Sequence, residues 1–220
     1  MTEKTNVIAV LGGTFDPVHN GHLRSALELK ELLALNEVYL IPCHQTPHRR
    51  QPGRTSQQRM DMLKLAVSDE PGLVIDDREL RLDEPSYSVV TLQNLREELG
   101  KKAVICWVMG VDAFAHFTRW HQWQRILELA NLVVMTRPGF ELDPCSEEFR
   151  LWQDLQLDRE LLSHHCSGRI IPVRLPSQLE ISATYIRQQL AGGRSVRYLL
   201  PESVIRYISD NNLYCEPSDS

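Results

Sequence analysis

"VIAVLGGTFDPVHNGHLRSALELKELLAL", residues 7–35, opens on five apolar residues and closes on a run of leucines, with three glycines, an Asp-Pro and two histidines between. Residues 7–11 are continuously apolar, the pattern of a strand covered on both faces. Residues 23–35 place Leu23, Ala26, Leu27 and Leu33 near one side, the spacing of an amphipathic helix. Strand, glycine-rich turn and helix make the first unit of an α/β sheet. In such sheets the turn at the carboxyl end of a strand is where ligands collect.

The same alternation continues outward. Residues 38–41 read as a second strand stopped by Pro42, and Ser56 reads as the cap of a helix reaching Val67. Residues 73–75 make a short strand, 88–99 a helix with Val89, Leu92, Leu95 and Leu99 on one side, and 103–109 a central strand. Two more strands follow at 132–135 and 170–173, then helices at 181–190 and 201–208 separated by "AGGRS". This order predicts the α/β class: a Rossmann-like, doubly wound parallel sheet with C-terminal helices. Residues 1–214 are expected to form a single domain, with 140–168 an irregular insertion containing some helix and 215–220 a mobile tail.

Composition narrows the chemistry. The 220 residues are 42% hydrophobic and 24% charged with a net charge of -5, the balance of an ordinary globular protein. An acidic chain is a poor adhesive for nucleic acid, so no nucleic-acid partner is expected, whereas a small phosphorylated ligand can be held by a local cluster of N–H donors. No signal-peptide pattern opens the chain, and no stretch approaches the roughly 18 apolar residues of a membrane span. The expectation is a cytoplasmic protein with no membrane partner; assembly into identical copies is left open. Cys43, Cys106, Cys145, Cys166 and Cys215 are dispersed without a C-x-x-C pair, which suggests reduced thiols rather than disulfides or structural zinc.

The turn itself suits phosphate. Gly12 and Gly13 let an anion approach the main chain and can adopt positive φ, and the helix beyond supplies unpaired N–H groups. Neither the P-loop nor the G-x-G-x-x-G spacing is present. His19 and His22 instead bring imidazoles to the first helical turn, where each can donate to a phosphoryl oxygen and where a polyphosphate favours the protonated ring. A glycine pair alone is usually only a turn, and H-x-x-H alone is usually incidental; their order here is the signal. Zinc lacks cysteine or carboxylate partners at ligand spacing, so no protein metal ligand is expected.

These residues resemble the H-x-G-H nucleotidyltransferase superfamily. The ordered blocks "GGTFDPVHNGHL", "PSYSVVTL", "WVMGVDAFAHFTRWHQW", "TRPG", "ISATYIR" and "YLLPESVIRYISDNNLY" are similar to those of bacterial nicotinate-nucleotide adenylyltransferases and together span residues 7–214. The first block and "ISATYIR" are shared across several adenylyltransferases; the middle blocks point to the pyridine nucleotide. The resemblance implies transfer of the adenylyl group of ATP to nicotinate mononucleotide, releasing pyrophosphate and forming nicotinate adenine dinucleotide for NAD biosynthesis. Here the nucleophile is an ionised phosphate, so catalysis rests on aligning two anions and stabilising charge rather than on a strong base.

By the same resemblance, His19 and His22 contact the ATP phosphates as the catalytic pair, and Gly12, Gly13, Thr14 and Phe15 line the nucleotide pocket. Ser182 caps a helix whose first N–H groups meet the outer phosphates, with Thr184 and Arg187 nearby. Gly110 and Asp112 follow the central strand, Asp112 as acceptor for ribose hydroxyls, and Arg137 is a further nucleotide contact. Trp120 stacks on the pyridine ring. The main chain around Tyr87, Ser88 and His121 reads the nicotinate carboxylate, with Ser88 placed to cap its helix. "CHQTPHRRQP" resembles a phosphate-facing loop usually written Pro-Pro-His-Lys: Thr46 replaces the first proline and Arg49 the lysine, while His48 remains. ATP is expected to arrive with Mg2+, held mostly by phosphates and water. Asp16 serves the turn before Pro17 as readily as it would a ligand. Other H-x-G-H transferases, for nicotinamide mononucleotide or phosphopantetheine, and a nucleotide-sensing regulator without turnover stay open as alternatives.

Overall fold

In the computed structural model, which describes residues 6–44, 53–81 and 86–215, six strands form one parallel sheet in the order β3-β2-β1-β4-β5-β6. The strands are β1 (Val7–Gly13), β2 (Glu37–Pro42), β3 (Leu73–Ile75), β4 (Val104–Gly110), β5 (Asn131–Met135) and β6 (Ile170–Val173). The doubly wound α/β sheet predicted above is present. Its order reverses between β1 and β4, so the loops leaving those strands diverge and open a crevice at their carboxyl ends.

Alternation along each strand divides the core in two. Val7, Ala9 and Leu11 of β1 and Val104, Cys106 and Val108 of β4 face one side, against α1 (Asn20–Leu32), α2 (Ser56–Val67), α7 (Ala183–Ala191) and α8 (Glu202–Asp210). Ile8 and Val10 with Ile105, Trp107 and Met109 face the other, against α3 (Ser88–Leu99), α4 (Val111–Phe114) and α5 (Trp123–Leu129). The central strands are apolar throughout because both faces are covered.

Several local expectations change. α1 begins at Asn20, not at 23, because His19 is its N-cap. Thr55, not Ser56, caps α2: its hydroxyl accepts from Gln58 N at 3.1 Å while the Gln58 side chain accepts from Thr55 N. The short helices α4 and α5 escaped the sequence pattern. The 140–168 insertion does contain helix, α6 (Glu147–Leu155), and a 3-10 turn at Arg159–His164. Its Phe140, Leu142, Leu151, Trp152 and Leu155 pack on the second face of the core, with the Trp152 ring 5.6 Å from that of Phe114. Residues 216–220 of the expected tail, and the loop positions His48 and Arg49, lie outside the described residues.

Candidate active site

The turn after β1 is built around a histidine pair. His19 Nδ1 accepts the backbone N–H of His22, and His22 Nδ1 accepts that of His19, both at 3.3 Å, a reciprocal cap at the start of α1. The two rings stack with centroids 3.6 Å apart, and Phe15 meets His22 edge-on at 5.0 Å. With both Nδ1 atoms accepting, each neutral ring carries its proton on Nε2. Burial pushes the His19 pKa down to about 4, and burial plus repulsion from His19 pushes His22 down to about 3. The ligand-free site therefore holds two neutral Nε2–H donors; the protonated state expected for a phosphate-bound ring opposes both burial and the cap.

The glycines act differently from expectation. Neither Gly12 nor Gly13 has positive φ; Phe15 does, at 48°. A Cβ on Gly13 would lie 3.1 Å from the Phe15 ring, so this glycine gives the ring its seat. Gly21 makes a similar fit between two distant segments, since a Cβ there would meet His19 Nδ1 at 3.0 Å and the Ile181 Cβ at 3.4 Å.

That contact brings the two ends of the sequence together. Ser182 caps α7 by accepting from Tyr185 N at 3.2 Å. Arg187 donates from one guanidinium nitrogen to the Asp16 carbonyl at 2.7 Å and from the other to Thr184 Oγ1 at 3.1 Å. Asn20 N donates to the Leu199 carbonyl at 2.9 Å, and its side-chain amide donates to the Tyr198 carbonyl. The buried Asp16 carboxylate accepts from the Tyr214 hydroxyl at 2.5 Å and from Gly53 N at 2.9 Å. Arg54 lies over the Tyr214 ring, 4.6 Å from its centroid. Asp16 thus serves the turn. Sequence reasoning missed Tyr214, Asn20 and Ile181 as partners of this loop, because nothing local in the chain signals them.

The remaining candidates form two further groups. At the ends of the adjacent strands β4 and β5, Gly110 caps α4 with open space where a Cβ would go, and Asp112 pairs with Arg137 at 3.2 Å. Both partners are more than half exposed, so the pair adds little stability and remains accessible to a ligand. At the start of α3 the N-cap is Tyr87, not Ser88, and makes no side-chain cap bond. Ser88 is the first helical residue, and the Tyr87 ring lies 4.6 Å from that of His121. Trp120 is half-buried with its ring 5.8 Å from Phe117. Its segment is tied down by the insertion: the buried Glu148 carboxylate accepts from Thr118 N at 3.1 Å and from Thr118 Oγ1 at 2.6 Å. Burial raises the Glu148 pKa, but the hydrogen bonds from Thr118 outweigh it and hold the carboxyl below its usual range.

Comparison with known proteins follows the same lines. The cytidylyltransferase-like family model matches residues 10–189. A protein of Chromohalobacter salexigens named probable nicotinate-nucleotide adenylyltransferase is 45% identical over 209 residues, which cover 94% of this chain and 95% of that one. The chain belongs to the nicotinate-nucleotide adenylyltransferase family. A second relative bearing that name, from Klebsiella pneumoniae subsp. pneumoniae, is 40% identical over 98% of this chain and all of its own length. Among solved structures, nicotinic acid mononucleotide adenylyltransferase of Plasmodium falciparum complexed with NaAD has the same fold, with a TM-score of 0.72 at 17% identity over 95% of this chain and 97% of that one. The adenylyltransferase family thus accounts for nearly the whole chain, insertion included.

Proposed function

We infer that this protein transfers the adenylyl group of ATP to nicotinate mononucleotide, yielding nicotinate adenine dinucleotide and pyrophosphate. A phosphate oxygen of the mononucleotide forms a bond to the α-phosphorus of ATP as the bond to the bridging oxygen breaks, and pyrophosphate leaves with the electron pair. No proton must be removed from the nucleophile. The protein's task is to hold two anions in line and to meet the charge that develops on the transferring and departing phosphates.

The observation that carries this reading is the meeting of the His19–His22 turn with the α7 turn, through Gly21 against Ile181 and Arg187 on the Asp16 carbonyl. Two neutral Nε2–H donors, the Ser182-capped start of α7 and Arg187 thereby flank one crevice, the arrangement a triphosphate requires. Gly12, Gly13, Thr14 and Phe15 form the floor of the nucleotide subsite. Gly110, Asp112 and Arg137 flank it at the ends of β4 and β5. Tyr87, Ser88 and His121, with Trp120 beside them, form the acceptor subsite, where the first N–H groups of α3 favour a carboxylate over an amide. His48 and Arg49 are assigned to the mononucleotide phosphate on their sequence pattern alone.

Mg2+ accompanies ATP in this reading, screening the triphosphate and easing departure of pyrophosphate. Among the described residues no group of three or more His, Cys, Asp or Glu is placed to hold a metal ion, and both Asp16 carboxylate oxygens already accept hydrogen bonds. In this reading phosphates and water hold most of its coordination shell. No helix among the described residues is long and apolar enough to cross a membrane. We place the reaction in the cytoplasm, where five free cysteines stay reduced.

The test is a panel of acceptors. With ATP and Mg2+, nicotinate mononucleotide should give dinucleotide and stoichiometric pyrophosphate faster than nicotinamide mononucleotide or phosphopantetheine. Preference for the amide would overturn the acceptor assignment, and ATP binding without product would favour a nucleotide sensor.

A further inference from the structure

Arg59 is 1% exposed, among the most completely buried large side chains in the protein, and it lies directly behind the loop assigned to the nucleotide. One guanidinium nitrogen donates to the Thr14 carbonyl at 2.7 Å and the other to Ser56 Oγ at 3.2 Å, while Nε has no partner. Among the described residues no carboxylate pairs with it. Two buried carboxylates of this half are engaged elsewhere, Asp16 with Tyr214 and Gly53, Glu79 with Thr91 Oγ1 at 2.6 Å. A guanidinium cannot escape burial by losing its proton. An unpaired buried cation is unfavourable, and an apolar side chain of similar volume would ordinarily suit such a place better.

Its position supplies a reason. The Thr14–Phe15 peptide is planar, so a carbonyl drawn inward to Arg59 turns the Phe15 N–H the opposite way, away from the guanidinium. No described residue accepts that N–H. The positive φ of Phe15 lets its ring fold back over Gly13 while the N–H stays free. A cation on the carbonyl polarises the peptide and strengthens its N–H as a donor. The guanidinium is itself fixed through Ser56 Oγ, which bonds His44 Nδ1 at 3.1 Å, and His44 N in turn donates to Ser86 Oγ at 3.0 Å beside Tyr87.

We propose that Arg59 is a positioning residue for adenylyl transfer: it orients and polarises the Thr14–Phe15 peptide so that the Phe15 N–H faces the phosphates, and the bound anion offsets its buried charge. This rests on the assignment of the β1 turn to ATP given above.

The experiment compares wild type, Arg59→Lys and Arg59→Met for kcat, KM for ATP and for the mononucleotide, ligand-free Tm and the rise in Tm produced by ATP. Both variants should lose kcat together with the ATP-induced Tm rise, Arg59→Met by about tenfold to a hundredfold in kcat and Arg59→Lys by less. KM for the mononucleotide should change least. A lowered ligand-free Tm with wild-type kcat per folded molecule and a wild-type ATP response would make Arg59 merely structural and overturn the proposal. If Arg59→Met does not fold, Arg59→Lys decides: wild-type kcat and ATP response overturn it, a joint loss supports it. Absence of dinucleotide formation by the wild type would instead overturn the reaction assignment, and the ATP-induced Tm rise would still report on Arg59.

Discussion

His19 and His22 stack at 3.6 Å between ring centroids, and each Nδ1 accepts the backbone N–H of the other residue. A second proton on either ring breaks the helix cap as well as charging a buried group. Unfolded, both rings titrate near 6.5; folded, they hold out to about 4 and about 3. Between these values the unfolded chain binds more protons, so their contribution to stability is lost as pH falls from about 6.5 toward 3. The Tm of the ligand-free protein should drop across that range, and His22→Asn should flatten the slope. A flat wild-type Tm from pH 6.5 to about 4 would contradict a neutral stacked pair.

The same pair separates capping from catalysis. His19→Asn puts a preferred N-cap residue at that position while removing the Nε2–H donor. Thermal stability should stay near wild type while kcat falls about a hundredfold. His22→Ala should lower kcat far more than it weakens ATP binding, as single-turnover and equilibrium titration would reveal. Normal turnover in either variant would remove that ring from the mechanism.

On the proposed reading, Glu148 links the insertion to the acceptor subsite through Thr118. Removing its carboxylate releases Thr118, and with it the turn that carries Trp120. Glu148→Ala should raise KM for nicotinate mononucleotide by roughly fivefold, the equivalent of about 1 kcal/mol, with little change in KM for ATP. Trp120→Ala should act on the same parameter more strongly. A loss of thermal stability with unchanged kinetics would make Trp120 an ordinary core aromatic.

Tyr214→Phe deletes one hydroxyl and leaves the buried Asp16 Oδ1 without its donor. The cost is about 1–3 kcal/mol, read as a lower midpoint in urea unfolding. An unchanged midpoint would mean that the hydrogen bond contributes nothing in solution.

The sheet was legible because its strands are apolar runs cut by Pro, Gly and Asn, and β3, β6 and α3 fall on the predicted residues. α1 starts earlier than its leucine repeat suggests, since histidine is an unusual cap and only its partner three residues on reveals it. α5 is two turns long, too short to show a helical repeat in the sequence. The histidines, Ser182 and the acidic-basic pair Asp112 and Arg137 were visible as types at strand or helix ends, although their pairing was not. Arg59 and Tyr214 were hidden because their significance lies in contacts with Thr14 and Asp16, remote in sequence and without periodic signature.

The loop that leaves β1 is held by Arg59 and Gly53 and, from the far end of the chain, by Ile181, Arg187, the carbonyls of residues 198 and 199, and Tyr214. During translation, then, this turn is made well before part of what fastens it. A nascent polypeptide halted before residue 181 carries the whole histidine signature yet lacks the late fastenings of its turn, which come only with residues 181 to 214.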